Sequence, residues 1–504
     1  MSVLSVVVLL PLAAAIALAL VRVPAATARW TWLAVTVVDL VLVVATALAY
    51  RTPVAGALAY EQQVAWIPEI GASYHVGLDG LSLPLVALTD VVFSACAVFA
   101  LREDRRPRAH AALMLFLQTA CLGVFAAQDL IVFFVFFDLS IVGMYFAIAG
   151  WGHGQARSAA LKFFLYTFLG SLVLLLGFIG LYVYARPHTF DMVELARQTP
   201  LVGHGAVGVA VLGAVLVGLL IKTPTVPFHT WLPPAHTNAS ATGSAVLAGV
   251  MLKLGTYGLV RIAMPLLPQA WSALSWLVLA IGGISVLWGA LVALGQRDVK
   301  RMIAYTSVNH MGYVVLAVGA AGLAGQGASS VAARQLAITG AVTQMVSHGL
   351  ITTALFLLTG VLWSRREDYA LGGYGGLAAP APVFAALLAI GAFASLGLPG
   401  FSGFVAELQV FAGSIALAPV AAVALLGILL TAGLFLRALQ LLLTGPTRGS
   451  STGFEDVRAR EVWAVAPLLV LALVVGIAPR PLLAVIEPAS AAVVASLDAP
   501  ATGG

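Results

Sequence analysis

Along most of this chain apolar residues follow one another without the polar punctuation of a surface helix or a half-buried strand. Long apolar runs recur near 2–21, 30–50, 80–101, 109–127, 129–150, 159–184, 205–228, 241–263, 270–294, 300–320, 335–360, 382–412, 418–443 and 462–479. About 20 apolar residues of helix cross a bilayer core. The pattern therefore predicts an all-α polytopic membrane protein with fourteen transmembrane helices. The first run has no Lys or Arg before it and is longer than the apolar region of a signal peptide, so it reads as a membrane helix rather than a cleaved leader. The longest loops are 51–79 and 185–204, the second containing the amphipathic stretch FDMVELARQ.

Composition strengthens this picture. Of 504 residues, 61% are apolar and 9% charged, and the mean hydropathy is +1.04; soluble domains carry about 25% charged residues. The net charge of +5 comes from scattered Lys and Arg, so no nucleic-acid partner is expected. Sorting the loops by side tests the helix count. One side carries Arg22, Arg29, Arg102, Arg105, Arg106, Arg108, Arg157, Arg297, Lys300, Arg301, Arg365, Arg366, Arg448, Arg458 and Arg460, and the other Arg51, Arg186, Arg197, Arg261, Arg334 and Arg480, fifteen against six. By the positive-inside rule the richer side is cytoplasmic, with both termini on the non-cytoplasmic side. Cys96 and Cys121 lie in apolar runs and are too few for an iron–sulfur cluster or a structural zinc, so no metal is expected. The GGYGG run at 372–376 reads as a connector rather than a phosphate loop.

Ionisable residues inside spans carry the functional signal, since each is costly in hydrocarbon. Lys162, Lys222, Lys253 and Arg437 fall in spans, with Asp39, Asp90, Asp138 and Glu407 as candidate acids and His229, His310 and His348 beside them. Asp39 and Asp90 read as isolated structural groups and Arg437 as a snorkelling side chain. Asp138, in FFVFFDLSIVGMYF, has no local partner and needs a cation or a proton. Lys222 precedes Pro224 and Pro227, which break the helix, and Pro399–Gly400 break the twelfth span ahead of Glu407. Broken membrane helices at corresponding places in two halves point to an ion site. The set predicts a polar path through the bundle.

These residues resemble the antiporter-like membrane subunits of complex I and its relatives, the proton-conducting membrane transporter family. The resemblance rests on DGLSLPL at 79–85, MYFAIAGWG at 144–152, KFFLYTFLGS at 162–171, KTPTVPFHTWLPPAH at 222–236, GSAVLAGVMLKLGTYGLVR at 243–261, DVKRMIAYTSVNHMGYV at 298–314, QMVSHGL at 344–350 and LGLPGFSGFVAEL at 396–408. It implies two inverted five-helix repeats, about 109–263 and 270–443, after an N-terminal three-helix segment (1–108) and before a C-terminal helix and tail (462–504). It further implies a proton-transfer axis: Asp138 as the acid of the fifth span, Lys222 as its partner, Lys253 as the connecting lysine, His310 and His348 in the middle, and Glu407 as terminal carrier, with His229 and Lys162 secondary. Glutamate rather than lysine on the twelfth span points to the M-type subunit of an NADH:quinone oxidoreductase in the inner membrane of a bacterium, beside L- and N-type subunits and lipids. No cofactor is expected in this chain; NADH, FMN, iron–sulfur clusters and quinone belong to partner subunits. Asp138 stands for the family's usual glutamate, Pro234 for an aspartate and Ser240 for a proline. Alternative readings are an Mrp-type sodium/proton antiporter subunit, a subunit of a related hydrogenase complex, and a non-conducting membrane spacer.

Overall fold

Backbone in hydrocarbon must satisfy its own hydrogen bonds, so the apolar runs form long helices. The computed structural model describes residues 2–52, 57–323 and 327–498; residues 499–504 of the expected tail lie outside them. The first six spans are Val3–Leu20, Ala25–Ala49, Leu83–Phe99, Pro107–Ala126, Leu130–Trp151 and Ala156–Tyr184. The seventh is broken into Gly205–Lys222 and Leu232–Asn238. The eighth is Ala241–Leu266, followed by Pro268–Leu294, Val299–Ala321 and Ala328–Arg366. The twelfth is broken into Pro382–Ser395 and Ser402–Leu417, and Leu425–Leu443 and Ala459–Ile477 follow.

Among the described residues thirteen helices are long and apolar enough to cross a membrane, a set that differs from the fourteen runs read in the sequence. It omits the tenth span, diluted by Lys300, Asn309 and His310, and the twelfth, whose halves are each too short. It adds Arg480–Asp498 of the C-terminal tail, whose start and end both meet the arginine-poor loop set, so it lies along that face rather than crossing. That helix buries Ile486, Ser490, Val493 and Val494, a single stripe at helical spacing, and Arg334 of the eleventh span bonds Asp498 at 2.6 Å.

Polarity sorts the helices. The eighth and eleventh spans have 94% and 100% of their most apolar stretch buried, against 39%, 28% and 33% for the first, second and fourteenth. The outer helices show leucine and valine to the surroundings, Leu48 being 81% exposed, as lipid contact allows. The central helices carry the polar residues. The ninth and tenth spans approach closely because Gly289 and Gly312 have no side chain: a Cβ on either would stand 2.6 Å from the Asn309 nitrogen or 2.7 Å from the Val286 nitrogen of the facing helix.

The loop at 51–79 holds a small element that the helical pattern does not include. Its described part forms an antiparallel hairpin, β1 (Ala59–Ile67) and β2 (Ala72–Leu78), with Gln63 opposite His75. The alternation over so few residues is too short to stand out from a loop. Gly71 turns the hairpin at φ +64°, where a Cβ would be strained. His75, buried on β2, is clamped at 2.6 Å by Asp191 and at 2.8 Å by Glu61. Burial works against its positive charge, but the hydrogen bonds and charges of the two carboxylates outweigh it and raise its pKa above 6.5. Burial likewise opposes ionisation of Asp191, yet the His75 bond and backbone donors hold its pKa below 3.8. Asp191 also caps the short helix Met192–Gln198, so one ion pair joins hairpin and helix.

The hairpin gathers the loops of one face: the Gln128 amide donates to the His75 carbonyl at 2.8 Å, and the Ser73 amide to Asp129 at 2.9 Å. The opposite face is tied by arginines of the richer loop set. Arg29 bonds Asp104 at 2.9 Å, Arg108 the Val21 carbonyl at 3.2 Å, Arg365 Glu461 at 2.7 Å and Arg460 the Phe99 carbonyl at 3.1 Å. Lys300 departs from its reading as a loop charge. It is fully buried and donates to the Ala239 carbonyl at 2.6 Å.

Candidate functional site

The seventh span ends at Lys222 because Pro224 and Pro227 cannot continue its ladder. The carbonyls this frees find partners: the Trp231 indole donates to Ile221 at 3.0 Å, and the Thr225 amide to Leu220 at 3.1 Å. The break is thus closed by protein, leaving Lys222 buried as the last residue of its helix. Its ammonium donates to the Ser140 hydroxyl at 3.2 Å and lies over the Phe137 ring at 4.8 Å.

Asp138 and Lys222 make no direct ion pair, contrary to the contact their charges suggest. The reason is helical geometry. Phe137 and Ser140, three apart, share the face turned to Lys222, whereas Asp138 is rotated about 100° from Phe137. An aspartate is also one methylene shorter than the family's glutamate. Asp138 is half-buried, with the Lys222 charge and Ser171 of the sixth span as its influences, and one of its oxygens has no hydrogen-bond partner.

The eighth span brings the second lysine next to this break. Gly255, two residues past Lys253, has no side chain where a Cβ would stand 2.7 Å from the Leu219 carbonyl. The span is irregular, with π turns at Leu247–Met251 and Leu259–Ala263; such turns release carbonyls from the regular ladder. Lys253 uses one, donating to the Ala248 carbonyl, and lies 2.7 Å from His348 Nδ1. Ser240, in place of the family's proline, accepts from the Gly243 amide at 3.1 Å and caps this span. Pro234 sits in the first turn of Leu232–Asn238, where its missing N–H costs nothing.

The line continues to the second break. The His348 and His310 rings lie 5.5 Å apart, and the Nε2 atom of each is buried without a partner. Both histidines line a cavity of about 10 Å³ with Gln344, Ser395 and Glu407, and the buried Gln344 and Ser395 oxygens also lack partners. That volume is about one water molecule, and several free polar atoms around it are what a buried water needs. Glu407 reaches this cavity because the twelfth span breaks: Gly397 at φ +76° and Gly400 at φ +101° turn the chain, and the Glu407 carboxylate occupies the space a Cβ on Gly397 would need.

Lys253, His348, His310 and Glu407 are thereby brought together, with Lys222 one helix contact away. His229 and Lys162 stand apart. His229 accepts from the Trp288 indole at 3.3 Å, and Lys162 is exposed in an outer groove with Ser158, Tyr166 and Phe228. Arg437 snorkels to the Leu294 carbonyl at 2.5 Å. One further polar residue, His236, joins this region. His236 is buried with both ring nitrogens unpartnered, stacked on Phe356 at 4.5 Å, and both the Lys300 and Lys253 charges act on it. Only its place in LPPAH, beside the broken helix, signalled it.

Comparison with known proteins agrees with this architecture. Residues 127–434 match the family described as NADH:quinone oxidoreductase/Mrp antiporter, transmembrane. The chain is 36% identical over 435 residues to the F(420)H(2) dehydrogenase subunit M of Methanosarcina mazei, covering 85% of each. It is 34% identical over 430 residues to the NADH-quinone oxidoreductase subunit M of Rickettsia prowazekii, covering 84% of each. A chain in the structure of respiratory complex I from Thermus thermophilus with bound NADH superposes with a TM-score of 0.87 at 29% identity, covering 99% of this chain and 100% of that one. This multi-pass membrane protein belongs to the NADH:quinone oxidoreductase/Mrp antiporter transmembrane family and is similar to its subunit M members.

Proposed function

We propose that this chain is the M-type, proton-translocating membrane subunit of a quinone-reducing respiratory complex, with Asp138, Lys222, Lys253, His310, His348 and Glu407 as its proton-transfer groups. The observation that carries the reading is the buried run from Lys253 through His348 and His310 to the small cavity at Glu407. Such a chain of titratable groups through a bilayer is costly, and buried ionisable groups of this kind mark ion and proton paths. Redox chemistry takes place in partner subunits bearing NADH, FMN, iron–sulfur clusters and quinone, and L- and N-type subunits flank this one. The named relatives use different donors, NADH and F420H2, which suits a subunit whose task is independent of the donor. The complex resides in the inner membrane of a bacterium, with the arginine-tied face cytoplasmic and both termini outside. A reporter fused after Gly504 is expected to be non-cytoplasmic; a cytoplasmic signal overturns the orientation.

Lys222 waits at the first break, donating to Ser140 with Asp138 set aside. A swing of Asp138 towards Lys222 favours the ammonium, and its retreat favours handing the proton on, through Lys253 and the histidines, to Glu407. The decisive experiment uses the whole complex reconstituted in vesicles with its electron donor and a pH-sensitive dye. Lys253→Met is expected to cut protons moved per electron by at least about tenfold, a loss of ~1.4 kcal/mol in driving the step, while electron transfer to quinone continues. Unchanged pumping in a fully assembled variant overturns the reading. Sodium transport without an electron donor would move it to an Mrp-type antiporter.

A further inference from the structure

Asp39 and Asp90 lie outside the Lys222–Glu407 line, on the second and third spans, and neither has a charged neighbour in sequence. The fold brings them together. Both are fully buried, and between them stands Gln118 of the fourth span, also fully buried. Its amide nitrogen donates at 2.8 Å to Asp90 and at 3.2 Å to Asp39. In this orientation the amide nitrogen faces both carboxyl groups and the amide oxygen is left without a donor. Three oxygens remain buried and unpartnered: the second oxygen of each aspartate and the Gln118 carbonyl. Among the described residues no lysine or arginine makes an ion pair with either acid.

Two ionised carboxylates held by one neutral amide in a bilayer would leave two uncompensated charges, which a low-dielectric interior does not tolerate. One proton removes one of the two charges and leaves a single negative charge facing the Gln118 amide. Bound to one aspartate it also makes a hydroxyl donor in a site where three oxygens have none. The titratable groups around the pair are few. His110 on the fourth span has its Nε2 buried without a partner and packs edge-on against Trp32 at 5.4 Å, near the arginine-tied end. Cys96 lies on the third span. Cys121, one turn beyond Gln118, neighbours Lys222. The bridging Gln118 therefore sits one helix turn from a side chain that feels the Lys222 charge.

We propose that Asp39 and Asp90, bridged by Gln118, form a second protonation site that holds one exchangeable proton. The site is a property of the resting protein and does not depend on whether Lys253 and Glu407 conduct.

Infrared spectroscopy of the intact complex in membranes tests it, reading the C=O stretch of protonated carboxyl groups. The expected result is a band that shifts on transfer to heavy water, weakens in Asp39→Asn and in Asp90→Asn, and survives in Lys222→Ala and Glu407→Gln. A band unaltered in both asparagine variants overturns the proposal, as does one that never exchanges, which marks a sealed structural acid. If the variants fail to assemble, the unmodified complex can be treated with a hydrophobic carbodiimide, which reacts with protonated carboxyls in apolar surroundings, and digested for mass analysis. Label on Asp39 or Asp90, but not on both in one chain, supports the proposal, and no label on either overturns it. Loss of band and label on adding sodium alone also overturns it, making the site one for a monovalent cation.

Discussion

Lys222→Ala is expected to lower proton pumping by at least about tenfold in a complex that still assembles and still reduces quinone. A factor of ten takes only ~1.4 kcal/mol, and carrying one charge against each 100 mV of membrane potential takes about 2.3 kcal/mol. A path that loses its first titratable stop has no group to load before the potential is met. The structure makes the substitution clean, because the ammonium bonds one hydroxyl, Ser140, and no carboxylate depends on it as an ion-pair partner. Helix ends at the break are held by Thr225 and Trp231, which remain. Lys222→Met controls for lost volume and should behave like the alanine variant. Asp138→Glu restores the missing methylene toward Lys222 and is expected to pump near normally. Dye-detected acidification in vesicles, normalised to electron transfer, gives the answer. Full pumping by Lys222→Ala would remove this lysine from the path.

The second large effect is expected for Glu407→Gln. The glutamine keeps the length and most of the packing against Gly397 and the cavity shared with His310 and His348. It cannot bind and release a proton. Pumping should fall by at least about tenfold, by the same ~1.4 kcal/mol reckoning, while the amount of assembled complex is unchanged. Glu407→Lys, which can still titrate, should retain more pumping than the glutamine. Equal pumping by wild type and Glu407→Gln would place the final carrier elsewhere. A collapse of assembly in Glu407→Gln would instead show that the carboxylate holds the Gly397 turn together.

Membrane architecture and the candidate polar residues are legible in the order of amino acids alone. Apolar run length predicts helices, because only a self-satisfied backbone crosses a bilayer, and prolines beside Lys222 and Glu407 predict where two of them break. The arginine imbalance also predicts which loops share a face, and the contacts of Arg29, Arg108, Arg365 and Arg460 fall on one face. Which buried polar groups meet follows instead from how the helices pack. A period of 3.6 residues puts Asp138 off the face that Phe137 and Ser140 turn to Lys222, so an acid and a lysine that looked paired are not bonded. Lys300 stands in a basic stretch that looks exposed, yet the Ala239 carbonyl receives it inside the bundle. Asp39 and Asp90 looked solitary because the amide that joins them is 79 residues from one and 28 from the other. Local patterns report how each helix meets lipid. Partners between helices depend on packing angles and rotations that no stretch of sequence contains.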